Sequence, residues 1–217
     1  NGWMYFDVEI KDIPKVNINL RCADRVMLVM GQFQVYSFEE LFDRTYDLPW
    51  EKWITGDGKF TVKGTSVKSK LYSTPDCQSI VKKAISKKLC EEYDVEWMPE
   101  TGAEFTVQIS IHKDIATLSI DTTGAREGLF KRGYREKSLE APLKETMAAA
   151  LVKLSFWNKD RVLYDPMCGS GTIAIEAALI GRNIAPGLNR SFASQKWPAV
   201  KEEYWKAAKT EARRKID

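Results

Sequence analysis

Several kinds of signal are missing from this chain, and each absence closes off a class of protein. No apolar run approaches the ~20 residues that a helix needs to cross a bilayer, and residues 1–10 lack the charged-then-apolar pattern of a secretory leader. Histidine is almost absent, with His112 standing alone. The four cysteines, Cys22, Cys77, Cys90 and Cys168, lie far apart with no Cys-x-x-Cys pair. Zinc sites need clustered Cys and His, so no metal is expected, and such scattered cysteines fit reduced thiols in a cytoplasm better than a disulfide framework. The formal net charge is only +3, so a nucleic-acid surface would have to arise by clustering of basic residues. No start methionine precedes Asn1, which suggests that residues are missing before it.

What is present centres on Val162-Leu163-Tyr164-Asp165-Pro166-Met167-Cys168-Gly169-Ser170-Gly171-Thr172, followed by the alanine-rich run from Ile173 to Ile180. An apolar run ending in an acid, then a glycine turn, then a helix is how a doubly wound α/β sheet presents a ligand at its carboxyl edge. Gly169 and Gly171 permit dihedrals and close backbone approach. The helix-start amides beyond Thr172 favour an anionic group. No lysine follows Gly171, which argues against a P-loop, and Ala174 and Ile175 stand where a dinucleotide fingerprint wants a third glycine.

Along the rest of the chain, residues 1–55 read as part of a small α+β unit. Trp3 to Ile10 is expected as a strand, Ile13 to Ala23 as a helix, and Arg25 to Met30 as a buried strand. Ser37-Phe38-Glu39-Glu40 is a capping box, and Pro49-Trp50 closes the helix that it opens. Residues 56–125 then predict strands at Lys59 to Lys63 and Ser66 to Leu71, and a helix capped at Thr74-Pro75-Asp76. That helix has a core stripe of Cys77, Ile80, Val81, Ala84, Ile85 and Leu89. A hairpin should follow, with Phe105, Val107, Ile109 and Ile111 alternating before a Lys113-Asp114 turn and Ala116, Leu118 and Ile120 returning. His112 falls on the polar parity of that hairpin and reads as a surface residue.

Seven lysines lie between Lys63 and Lys88, opposed by one acid, Asp76. Lys63, Lys68 and Lys70 on strands or loops and Lys82, Lys83, Lys87 and Lys88 on the outer helix face could together track a phosphate backbone, although a solvated helix face has the same appearance. A second basic run holds Arg126, Lys131, Arg132, Arg135 and Lys137 with Phe130 and Tyr134 interleaved, an arrangement that can stack unpaired bases. The candidate RNA-binding residues are thus Lys68, Lys70, Lys82, Lys83, Lys87, Lys88, Lys131, Arg132, Tyr134 and Arg135.

The phrases at residues 67–78 (VKSKLYSTPDCQ), 129–135 (LFKRGYR) and 141–146 (APLKET), with the Asp-Pro-Met-Cys-Gly-Ser-Gly-Thr loop and Glu176 four residues beyond it, resemble the bacterial THUMP-containing methyltransferases that modify guanine N2 in large-subunit ribosomal RNA. The resemblance implies a ferredoxin-like unit at 1–55, a THUMP RNA-binding domain at 56–125, a basic connector at 126–139, and the start of a Rossmann-like domain at 140–217. It implies S-adenosylmethionine as cofactor. Leu143 and Lys144 would line its methionine end, and Asp165, Pro166, Met167, Cys168, Gly169, Ser170, Gly171 and Thr172 would form the loop that meets its amino-acid moiety. Read physically, Pro142 should start a helix with Met147, Leu151 and Leu154 buried beside a strand at Val162 to Asp165.

One departure stands out. Enzymes of this kind align the acceptor amine with an Asn/Asp-Pro-Pro-Tyr/Phe loop, and no two of the eight prolines here are adjacent. Only 52 residues follow Asp165, enough for a Pro186-Gly187 loop and a charged helix from about Val200 to Ile216. The chain is therefore expected to hold the RNA-binding part and first cofactor element of a methyltransferase, with no catalytic residue of its own and no nucleophilic role for Cys168. Competing readings are a transfer-RNA guanine-N2 methyltransferase and a non-catalytic RNA-binding protein.

Overall fold

The computed structural model describes residues 2–124, 128–135 and 142–217. In chain order the regular elements are α1 (Ile13–Asn19), β1 (Met27–Gln34), α2 (Phe38–Tyr46), β2 (Lys59–Val67), α3 (Thr74–Glu92), β3 (Glu104–His112), β4 (Ile115–Asp121), α4 (Glu145–Leu154), α5 (Thr172–Gly181) and α6 (Glu202–Arg214), with short 3-10 turns at Ile10–Asp12, Trp50–Lys52 and Ala193–Lys196. They fall into two units: residues 27–125 with 196–199, and residues 1–26 with 126–195 and 200–217. Among the described residues no helix is long and apolar enough to cross a membrane.

The first unit is a four-stranded sheet in the order β1-β4-β3-β2, with β2 and β3 parallel and the other neighbours antiparallel. Period-two alternation brings Val62, Val107, Ile120 and Leu28 into one row, and Gly64, Ile109, Leu118 and Gly31 into the next. Helices α2 and α3 pack together, and α3 lies on β2. Gly64 permits that approach, since a Cβ there would meet Gln78 Cγ at 2.9 Å. Cys77, Val81, Ala84, Ile85 and Leu89 form the buried stripe of α3. The β3–β4 turn is Lys113-Asp114, both at positive φ, as a two-residue hairpin turn requires. Ser37 Oγ accepts from the Glu40 amide at 3.2 Å as the box requires, while the Glu40 carboxylate reaches back one residue further than the N-cap and accepts from the Tyr36 amide at 2.7 Å.

Other expectations for this unit are corrected. The strand expected at Arg25 to Met30 begins at Met27 and continues through Gly31 to Gln34, and it is half-buried because it is a sheet edge. A bulge at Met30 shifts its register between Val29 and Gly31. The two strands expected at 59–63 and 66–71 are one, β2, because its ladder with β3 runs unbroken from Lys59↔Glu104 to Val67↔His112. Ser73, not Thr74, is the N-cap of α3, and Ile80 is half-buried. The boundary expected at 55/56 falls inside this unit, since β1 pairs with β4.

The second unit contains helices and no strand among its described residues. Helix α1 packs on α6, which buries Trp205, Ala208 and Ala212, and Phe192 stacks on Trp205 at 5.1 Å. Gly187 lies against α1, where a Cβ would come within 2.8 Å of Ile18 Cα. The strand expected at Trp3 to Ile10 is absent: residues 3–9 are irregular, and Trp3, Met4, Tyr5 and Phe6 are exposed. Helix α1 ends at Asn19, short of Ala23. Val162 to Asp165 joins no ladder among the described residues, leaving Val162 95% and Tyr164 85% exposed. Helix α4 starts at Glu145 rather than Pro142 and turns Ala148, Ala149 and Val152 inward. Met147, Leu151 and Leu154, expected to be buried, are exposed because the small alanines allow close packing on α5.

Candidate functional site

The glycine turn has the backbone that its sequence demands. Gly169 has φ 55° and Gly171, the N-cap of α5, has φ 71°, both in the left-handed region. A Cβ at either would meet nothing within 4 Å, so the requirement is conformational rather than steric. The Gly171 amide donates to Cys168 O at 2.8 Å, closing the turn. Among the described residues no side chain caps α5, so its first amides face the turn without a side-chain acceptor. Among the described residues the exposed Cys168 thiol meets only the Gly169 carbonyl, at 3.8 Å.

Beside the turn is a cleft of about 480 Å³ lined by Leu151 and Val152 of α4, its C-cap Ser155, Trp157, residues 161–165 and Ile173. Asp165 contributes to its wall. Its Oδ2 is buried and has no hydrogen-bond partner among the described residues. A buried carboxylate oxygen without a donor costs on the order of 1–3 kcal/mol, so a ligand amine or hydroxyl there would be favoured.

Helix α5 is gripped along its whole length. At its start, Arg135 Nη2 donates to Thr172 Oγ1 at 2.8 Å, lies 3.6 Å from Glu145 Oε1, and reaches Leu143 O at 3.3 Å. In its middle, fully buried Glu176 accepts from Arg132 Nε at 3.4 Å and from Tyr134 Oη at 3.1 Å. At its end, Arg21 Nη2 donates to Ile184 O at 2.5 Å and Leu179 O at 3.4 Å. Arg132 also donates to Leu129 O at 2.7 Å and to Arg21 O. Burial, then the Glu176 carboxylate, pushes the Tyr134 phenol well above its ordinary range, and burial lowers the pKa of the Arg21 guanidinium.

These contacts correct part of the RNA-binding expectation. Arg132 is 4% exposed, with each guanidinium nitrogen bonded to an internal acceptor, so it is not presented to a phosphate. Tyr134 and Arg135 are half-buried and committed to α5 and α4. Lys131 is exposed. Arg126 and Lys137 lie outside the described residues, as does Ala141. In the sheet unit Lys68, Lys70, Lys82, Lys83 and Lys87 are exposed and Lys88 is half-buried. Lys87 and Lys88 pair with Glu91 and Glu92 at 3.8 Å and lie over the Tyr46 ring.

Leu143 and Lys144 flank the start of α4, both exposed. Lys144 Nζ is 3.6 Å from Asp24 Oδ2 and 5.1 Å from the Phe130 ring, while Thr146 Oγ1 donates to Asp24 Oδ1 at 2.7 Å. Sequence reasoning missed Arg21 and Asp24, which leave no local pattern, and it read Glu176 only as part of the loop motif, without its buried partners Arg132 and Tyr134.

Comparison with known proteins divides the chain along similar lines. Residues 35–121 match the THUMP domain and residues 132–216 match the RMKL-like methyltransferase domain. The chain thus carries a THUMP domain followed by part of a methyltransferase domain. It is 49% identical over 219 residues to "Putative RNA methyltransferase YpsC" of Bacillus subtilis, covering 100% of this chain and 56% of the relative. It is 34% identical over 214 residues to "Ribosomal RNA large subunit methyltransferase K/L" of Psychromonas ingrahamii, covering 98% and 28%. Among solved structures, "a predicted N6-adenine-specific DNA methylase" from Listeria monocytogenes has TM-score 0.92 at 53% identity, over 96% of this chain and 55% of that one. SMU.472, "a putative methyltransferase complexed with SAH", has TM-score 0.90 at 49% identity, over 96% and 55%.

Proposed function

We propose that this chain is part of a cytoplasmic S-adenosylmethionine-dependent RNA methyltransferase that modifies the exocyclic N2 of a guanine in large-subunit ribosomal RNA. The sheet unit binds the RNA, and the turn from Asp165 to Thr172 holds the amino-acid end of the cofactor, with Leu143 and Lys144 nearby. The observation that carries the cofactor site is the buried, unpartnered Oδ2 of Asp165 beside a left-handed glycine turn and an uncapped helix start. S-adenosylmethionine fits these groups: its ammonium suits Asp165 and its carboxylate suits the α5 amides. When bound, it supplies a methyl group already activated on a sulfonium. The residues of this chain bind and orient it, with Asp165 as ammonium acceptor and Arg135, Arg132 and Tyr134 fixing α5 behind the turn. Support for the guanine-N2 and ribosomal assignment comes from the motif resemblance and from the name of the Psychromonas relative.

Calorimetric titration of the full-length protein tests the cofactor site. Asp165→Asn should weaken S-adenosylmethionine binding by roughly tenfold or more, as loss of a charged hydrogen bond does. Labelled-methyl transfer to ribosomal RNA, transfer RNA and duplex DNA, offered separately, tests the substrate. Label on guanine N2 of large-subunit RNA is expected. Label on transfer RNA would favour that substrate instead, label on DNA alone would overturn the RNA reading, and RNA binding without any cofactor binding would leave a binding protein.

A further inference from the structure

Strand polarity gathers an unusual set of exposed side chains at one end of the sheet. Strands β1, β2 and β3 all finish there and β4 begins there, because β2 and β3 are parallel and β4 is antiparallel to both β3 and β1. The segments leaving this end carry Tyr36 after β1, Lys68, Lys70 and Tyr72 after β2, and His112 and Lys113 at the β3–β4 turn, all exposed. Tyr72 is 83% exposed, so its ring is open to a stacking partner.

The segments are tied to one another. The Lys70 amide donates to Asp114 Oδ1 at 2.7 Å, the Asp114 amide to Ser69 Oγ at 3.0 Å, the Lys113 amide to Val67 O at 3.2 Å, and the Val35 amide to Asp114 O at 2.9 Å. Lys70 Nζ sits 4.5 Å from the centre of the Tyr36 ring. Two of the acids at this end, Asp114 and Glu40, are turned onto backbone amides. Glu39 and Asp76 remain in the first turns of α2 and α3. None of Lys68, Lys70 and Lys113 forms an ion pair among the described residues, whereas Lys87 and Lys88 at the far end of α3 are matched by Glu91 and Glu92. Aromatic rings held beside unpaired ammonium groups on a pre-ordered surface suit a flexible polyanion with exposed bases.

We propose that this sheet end is the RNA-gripping platform of the protein and that it takes an unpaired stretch, Tyr72 stacking a base and Lys68, Lys70 and Lys113 meeting the adjoining phosphates. The inference rests on the RNA-methyltransferase reading and locates its substrate contact. Single strands are favoured over duplex because a ring can stack only on a base that has left its helix.

Filter binding of the full-length protein tests it, using an unstructured oligouridylate of roughly 12 nucleotides and a blunt RNA duplex of the same length, at several salt concentrations. Tyr72→Ala should weaken oligouridylate binding about tenfold with the salt slope unchanged, and Tyr72→Phe should retain it. The triple change Lys68→Gln, Lys70→Gln, Lys113→Gln should flatten the slope by about 2, while Lys87→Gln with Lys88→Gln should leave it nearly as it was. Duplex should bind more weakly and ignore Tyr72→Ala. Unchanged oligouridylate affinity in Tyr72→Ala, or a slope loss confined to the Lys87/Lys88 variant, overturns the platform. If the same preparations still methylate RNA, the broader functional reading survives that result. If the unaltered protein binds neither probe and methylates no RNA, both fall.

Discussion

The hairpin at 104–121 and the segment at 161–165 have the same kind of sequence, short apolar runs bounded by turns, yet they reach opposite ends. In the hairpin the residues of β3 and all of β4 up to Ile120 find partners a few residues away or across a single helical crossover, and Ile109 and Leu118 are buried. At 161–165 the run is irregular, unladdered among the described residues and exposed at Val162 and Tyr164. Strand propensity is therefore insufficient: burial of a strand depends on whether the rest of its sheet is within reach.

The largest expected effect is on amide exchange within this 217-residue chain. Amides of Ile109 and Leu118 should exchange roughly a thousandfold or more slowly than those of Leu163 and Tyr164, since the former open only with the sheet. Comparable protection of both pairs would break the comparison.

Next comes Arg132→Ala, which leaves Glu176 buried without its cation. Removing one partner of a buried pair costs about 3–5 kcal/mol, and denaturant unfolding followed by a probe on α5 should show it. The sheet unit should hold its own transition, and a loss spread evenly over both units would contradict the division between them.

Gly169→Val forces a branched residue to φ 55° and should cost about 1–2 kcal/mol while abolishing S-adenosylmethionine binding in titration of the full-length protein. Since a Cβ there meets nothing, unaltered affinity would mean that the turn has no part in holding the ligand. Ser37→Ala removes the α2 cap, at about 1 kcal/mol, and should lower the melting temperature of the sheet unit alone.

The smallest effect is alkaline. The folded Tyr134 phenol holds its proton above the unfolded value of 10.0. Its contribution is thus complete below that pH and fades as pH rises toward the folded value. Tyr134→Phe should flatten the fall in stability above pH 10, measured by urea unfolding at stepped pH.

Much of the sheet unit was legible, because its determinants are local. The period-two run of Phe105, Val107, Ile109 and Ile111, the Lys113-Asp114 turn, the Ser37 box and the α3 stripe each lie within a few residues of their consequence. The pairing of β1 with β4 was not legible, for it joins segments about ninety residues apart (Met27↔Asp121) and shows no local pattern. At the glycine turn the backbone was readable from two glycines. Its support was not: in a run such as Lys-Arg-Gly-Tyr-Arg, a solvated cation and one buried against a distant carboxylate look alike, and Arg132 is the latter. The inward face of α4 was misjudged because size suggested that Met147 and Leu151 would be the buried residues, whereas Ala148 and Ala149 permit the closer helix approach.

The bulge at Met30 makes β1 a strand in two frames. Before it the even-numbered Leu28 faces the helices, and after it the odd-numbered Gly31 and Phe33 do, so one supernumerary residue splices two opposite parities. Deleting Met30 would rejoin them into plain alternation with every remaining side chain on its present face. Deleting Gln32 instead would invert the residues beyond it. Along this strand a residue can therefore be lost at one point without changing the facing of the others, at the cost only of the half-buried Met30 side chain itself.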